Sequence, residues 1–129
     1  MAKKLTPAQI EKMATEIRKF LLDKQIWIDV TIYFNGKAFS TNDRSGNHFA
    51  YNDPNDLIVI EDADPKRCME YTGEILCMSF EGPLYECING YCGSFGEKVV
   101  GGLTKIFSKY GCYHEQGYAW SLALYPEEK

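Results

Sequence analysis

SFGEKVVGGLTKIFSKYG, residues 94–111, carries the start, the stripe and the stop of an amphipathic helix. Ser94 and Glu97 have the spacing of a capping box, in which each side chain satisfies a backbone N–H that the first turn leaves orphaned. Val99, Val100, Leu103, Ile106, Phe107 and Tyr110 recur at steps of three and four, so they share one side of a 3.6-residue helix. Gly111 supplies the left-handed residue that ends helices, with Lys105 and Lys109 near the negative end of the dipole. Gly101-Gly102 in the middle costs about 1 kcal/mol per glycine relative to alanine. The pair is expected to allow close approach of the helix backbone to a sheet, or of a partner to an exposed glycine face. Apolar strand-like runs flank the helix, EILCMSF before it and YAWSLALY after it.

Working back to the N-terminus, Thr6-Pro7-Ala8-Gln9 reads as a second helix start: Thr6 as N-cap, Pro7 at the first helical position, Gln9 closing a capping box. Ile10, Met13, Ala14, Ile17, Phe20 and Leu21 mark its apolar face. Lys12, Arg18, Lys19 and Lys24 could form a basic face for a partner. From Ile26 to Phe34 the period becomes two, which predicts a half-buried strand with Ile26, Ile28, Val30, Ile32 and Phe34 on one face. The other face, with Trp27 and Tyr33, is either a partner surface or lies beneath the loop that follows. Asn35-Gly36 then predicts a tight hairpin, because both residues tolerate positive φ, and KAFST returns as the next strand.

TNDRSGNHFAYNDPND (41–56) is a loop by composition, rich in residues that make turns. His48 is expected to be solvated there. LIVIED follows as a short strand. Asp53, Asp56, Glu61, Asp62 and Asp64 lie in and beside these segments at a spacing that fits no calcium loop. They read as a solvated turn or as an acidic patch for a basic partner. KRCMEYTGEILCMSF (66–80) reads as two strands around Thr72-Gly73-Glu74, the second presenting Leu76, Met78 and Phe80 together. GPLYECINGY starts a short helical turn at Pro83 with Leu84, Cys87 and Ile88 inward. Gly117 to Tyr125 alternates again, with Pro126 expected to end pairing; if this strand ran parallel to its predecessor, the intervening helix would make a right-handed crossover. The sum is a single α+β domain: a mostly antiparallel sheet of about five or six strands, packed against an N-terminal helix and a helix in the C-terminal half.

Composition limits the function classes. The chain has 129 residues, 45% hydrophobic and 25% charged, the balance of one globular core. No apolar run approaches the ~20 residues needed to cross a bilayer, and MAKKLTPAQIEK lacks an apolar leader, so a cytoplasmic protein is expected. The five cysteines are an odd set, and reduced thiols follow from that compartment. The net charge of −4 divides unevenly: residues 1–24 hold six Lys/Arg against three Asp/Glu, the remainder eight against fifteen. An acidic body disfavours phosphate backbones, which leaves nucleic acid only the basic first helix.

GxxxxGK[ST], GxGxxG, HExxH and GxSxG are all absent from the sequence. Thiolate and imidazole are suitable zinc ligands, and Cys87, Cys92, Cys112 and His114 supply four, although Cys87 is expected in a helical turn and not on the usual tight knuckle. The same residues, with Tyr85, could instead line a small-molecule site. Cys112 and His114, two apart on a strand, also admit a reading as nucleophile and base.

MSFEGPLYECINGY together with KIFSKYGCYHEQGYAWSLALY, roughly the last half of the chain, resembles small uncharacterised proteins carried by bacterial phages and conjugative elements. That resemblance implies a setting in which small acidic proteins often bind host nucleases or regulators, and it transfers no functional residue. Together with the acidic body and nine tyrosines, it makes a non-enzymatic interaction protein the leading expectation. Such a protein would inhibit a basic nucleic-acid-handling partner through Trp27, Tyr33 and the acids between Asp53 and Asp64. Homodimerisation through a strand edge or the Trp27/Tyr33 face is a further expectation.

Overall fold

The computed structural model describes residues 5–127 except 68, 71 and 74. The chain opens with helix α1 (Pro7–Asp23), capped as its sequence requires: the Gln9 amide donates to the Thr6 hydroxyl, and the Thr6 amide donates to the Gln9 side chain. Strands β1 (Val30–Phe34) and β2 (Lys37–Ser40) form the expected hairpin. Asn35 and Gly36 at its tip have φ of +50° and +77°, the conformation that matches the right-handed twist of the paired strands. β3 (Ile58–Ile60) follows the long loop, then β4 (Leu76–Phe80), α2 (Gly82–Ile88), α3 (Gly93–Lys109), β5 (Cys112–Gln116) and β6 (Ser121–Pro126).

The six strands form one sheet in the order β3-β2-β1-β4-β6-β5, every neighbouring pair antiparallel. β4 and β5 are therefore parallel to each other but separated by β6, so the helical connection passes over a strand that is laid down last. One sheet face carries Val30, Ile32, Phe34, Leu76, Met78, Phe80, Leu122 and Leu124 into the main core. Met13, Ile17 and Leu21 of α1, Leu84 of α2, and Val99, Leu103 and Phe107 of α3 close that core, so the amphipathic stripes of both long helices lie where their periodicity puts them.

Several expectations fail for local reasons. Cys92, not Ser94, is the N-cap of α3, and no side chain caps the helix; Gly93, at φ +54°, starts it one residue before the expected box. Trp27 is fully buried in the main core, next to buried Ile26. A strand cannot place consecutive residues on one face; here the chain turns at Gln25 (φ +61°) and Asp29 (φ +56°), and β1 begins only at Val30. Trp27 is thus unavailable to a partner or to a dimer face. Of the two strands expected in 66–80, the described residues show one; Pro65–Arg67 is a 3-10 turn, and Glu74 of the expected Thr72-Gly73-Glu74 turn lies outside the described residues. The strand that holds Cys112 and His114 is β5, and Tyr118 to Trp120 belong to the turn joining it to β6, not to the alternating strand expected from Gly117. Pro126 does not end pairing: its Cα lies opposite Cys112, and the Glu127 amide donates to the Gly111 carbonyl.

The glycine pair in α3 admits another helix, not the sheet. A Cβ on Gly102 would lie 2.5 Å from Phe20 Cε1 and closer still to Cζ, whereas Gly101 faces open space. Beside this contact Lys109 Nζ reaches Glu16 at 3.0 Å, and the Tyr110 hydroxyl donates to Glu16 Oε1 at 2.6 Å. The hydroxyl and the ammonium hold the Glu16 carboxyl below its ordinary pKa, while burial and Glu16 push the Tyr110 phenol up to about 12.

Candidate functional site

The sheet face away from the helices is half covered and half open, and the register explains the division. Ala38, Tyr33, Cys77 and Ala123 line up across β2, β1, β4 and β6. This apolar row lies beneath the segment between β3 and β4, where Met69 packs against Cys77 and Ala123. Gly73 allows the closest approach: a Cβ there would be 2.7 Å from the Leu124 carbonyl oxygen. Two residues along each strand, Ser40, Thr31, Ser79 and Ser121 form a parallel row of hydroxyls across the same four strands.

Over the hydroxyl row lies an open groove of about 490 Å³, within the ordinary size range of ligand sites. Thr31 and Ser79 contribute to its floor, Phe49 and Trp120 to its sides, and Asp29 and Glu81 bring carboxylates to it. The elements that carry these groups are fixed independently. Asp29 sits at the positive-φ bend before β1, where the Glu81 amide donates to its carbonyl oxygen at 2.9 Å. The Tyr51 hydroxyl donates to Asp29 Oδ1 at 2.6 Å, and the Phe49 and Tyr51 rings lie 5.4 Å apart, both largely exposed. Trp120 stacks on Tyr118 at 4.7 Å. Its turn is held by Asn89 of the α2–α3 corner, whose Nδ2 donates to the Ala119 carbonyl at 2.8 Å.

The loop that carries Phe49 and Tyr51 is tied down from behind. Arg18 Nη2 donates to the carbonyls of Asp53 and Asp56, with its guanidinium 5.8 Å from the centre of the Trp27 ring. Burial lowers the Arg18 pKa. Arg18 therefore serves the interior, and the expected basic face of α1 is reduced to Lys12, Lys19 and Lys24. His48 is exposed but not simply solvated: its Nε2 meets Asp56 Oδ2. Arg44 Nη2 donates to the Glu61 and Asp62 carbonyls, Asp53 Oδ1 accepts from the Asn55 amide, and Asp64 Oδ1 from the Lys66 amide. The side chains of Asp53, Glu61, Asp62 and Asp64 remain exposed along this margin, with Asp56 partly so.

The thiols do not assemble as a zinc site would require. Among the described residues no group of three or more His, Cys, Asp or Glu is placed to hold a metal ion. Cys87 and Cys92 do meet, at the α2–α3 corner; burial and the hydrogen bond with Cys92 push the Cys87 thiol up to about 12. Cys112 is buried in β5, its Sγ donating to the Tyr110 carbonyl, and the His114 ring stands edge-on to Phe107. Burial raises the Cys112 pKa and lowers that of His114. Both shifts favour the neutral forms, the reverse of an activated thiolate–imidazolium pair.

Of the expected partner-binding residues, Tyr33 lines the groove and Trp27 does not. Asp29, Phe49, Tyr51, Glu81 and Trp120 were missed as a set. The aromatic pair in FAY, inside an otherwise polar loop, was the one local signal for them. No family model, curated protein or solved structure matches this chain, and among the described residues no helix is long and apolar enough to cross a membrane.

Proposed function

We propose that the protein is a non-enzymatic interaction protein that binds a basic protein partner, with lysine or arginine side chains of that partner entering the groove on the open sheet face. The observation that carries this reading is the pairing of the Asp29 and Glu81 carboxylates with the Trp120 and Phe49 rings around one groove. A cation gains from both, through charge and through the negative face of each ring. The exposed acids from Asp53 to Asp64 would steer such a partner at long range, an effect that salt screens. A nucleic-acid-handling host protein, inhibited by being bound, fits both this chemistry and the mobile-element resemblance.

A defined probe tests the groove. Titration of an oligolysine or oligoarginine peptide should change the emission of Trp120 and leave that of buried Trp27 as an internal reference. Asp29→Asn with Glu81→Gln should weaken binding at least tenfold, about 1.4 kcal/mol, and Phe49→Ala should weaken it in the same direction. Asparagine suits the positive φ of residue 29, so the double variant should fold. Equal affinity of wild type and double variant for the cationic peptide would overturn the assignment, as would binding insensitive to salt.

A further inference from the structure

We propose that Cys87 and Cys92 are a reversible oxidation site, closing to a disulfide across the corner between α2 and α3. This does not rest on the groove. Cys87 lies in the last turn of α2 and Cys92 is the N-cap of α3; between them Gly90, at φ +86°, helps to reverse the chain. Gly96 brings the first turn of α3 down onto this corner. A Cβ there would be 3.0 Å from the Cys87 carbonyl oxygen, 3.4 Å from its Cα and 3.3 Å from Cys92 Cβ. Cys87 Cα and Cys92 Cβ, which flank that point at 3.4 and 3.3 Å, are therefore within about 7 Å of each other, so the two side chains are neighbours across the corner, in the range where the Cα separation of about 4.4–6.8 Å that a disulfide needs is reached with little backbone movement. Both cysteines are free. Cys77, by contrast, packs on the opposite sheet face with Met69 and Ala123.

Accessibility sets the order of events, with Cys92 half-buried and Cys87 buried. The oxidant class is a low-molecular-weight disulfide. The Cys92 thiolate attacks one sulfur of that disulfide; its S–S bond breaks, one thiolate leaves and takes up a proton, and a mixed disulfide remains on Cys92. Cys87 then loses its proton and attacks Cys92 Sγ, expelling the second small thiol. Two protein thiols are oxidised by two electrons, and one small disulfide is reduced to two thiols. The ring so closed contains Asn89, the residue that holds the turn bearing Trp120.

The test uses the full chain, reduced and then exposed to excess oxidised glutathione. Thiol titration in denaturant should fall by two from the five present, with full recovery on reduction. Chymotryptic cleavage after Tyr91 should leave two peptides joined through Cys87 and Cys92. Cys92→Ser should retain all its thiols under the same exposure, and since this substitution is at a half-buried cap it should fold. A glutathione adduct that persists on Cys92, a bond from either cysteine to Cys68, Cys77 or Cys112, or no loss of thiols in the wild type would each overturn the proposal.

Discussion

Replacing each of two adjacent glycines by alanine should shift stability in opposite directions. Gly101 is exposed in the middle of α3, and a Cβ there meets nothing within 4 Å. Gly101→Ala therefore gains only the reduced conformational freedom of the unfolded chain and better shielding of the helix backbone, about 1 kcal/mol. For 129 residues the unfolding entropy is about 0.27 kcal/mol/K, so Tm should rise about 4 °C. Gly102→Ala has the same propensity gain but drives a methyl group into the Phe20 ring. Overpacking of this kind costs about 1–3 kcal/mol, which leaves a net loss of between zero and about 2 kcal/mol. Thermal and urea unfolding of both variants measure the difference directly. Phe20→Ala supplies the control: in that background Gly102→Ala should stabilise as much as Gly101→Ala does, a coupling readable as a double-mutant cycle. Equal stabilisation by both alanines with Phe20 present would refute the packing of α1 on α3 at this point.

Four other outcomes are expected. Gly73→Ala combines a φ of +65° with a 2.7 Å approach to the Leu124 carbonyl and should destabilise by more than about 2 kcal/mol; a urea midpoint within error of wild type would mean that this segment does not lie on β6. The Glu16 carboxylate, favoured in the fold by Tyr110 and Lys109, stabilises above the carboxylate range, and that contribution is lost as pH falls through its lowered folded pKa. The Tm difference between wild type and Glu16→Gln should accordingly shrink toward pH 3. Tyr110 has the reverse sign, its folded pKa of about 12 lying above the ordinary value, so wild type should lose stability between pH 10 and 12 by an amount that Tyr110→Phe does not show. Thr6→Ala removes a formed capping box and should cost about 1 kcal/mol by urea unfolding.

What could be read from the sequence was what local chemistry decides. Thr6-Pro7-Ala8-Gln9 and Asn35-Gly36 act through their own backbone neighbours, and both behave as their composition demands. The stripes of α1 and α3 need only a sheet to lie on. Failures came where a distant contact overrode a local pattern. The alternation from Ile26 to Phe34 continues through Trp27, yet the side chain goes into the core beside Arg18, which in turn depends on carbonyls of Asp53 and Asp56. Beyond Cys112 and His114 the extent of β5 was hard to read because its Tyr113, Glu115 and Gln116 are exposed and an edge strand needs little apolar content. The groove was illegible for a related reason: its members come from the bend before β1, the 42–57 loop, the start of α2 and the β5–β6 turn, and only the sheet register brings them together.

The strand order divides the sheet into two contiguous halves, β3-β2-β1 from residues 30–60 and β4-β6-β5 from residues 76–126. The β1–β2 and β5–β6 hairpins close over short stretches of chain, whereas β4 and β6 pair across the helical connection, Cys77 opposite Ala123. Among the described residues the ladder between halves is β1 with β4, where Thr31 pairs with Ser79. Closing that seam and pairing β4 with β6 are the long-range events that slow folding, and the hydroxyl row beneath the groove becomes continuous only when both have formed. Binding at the groove would thus act as a clamp on the seam between the two half-sheets, resisting their separation.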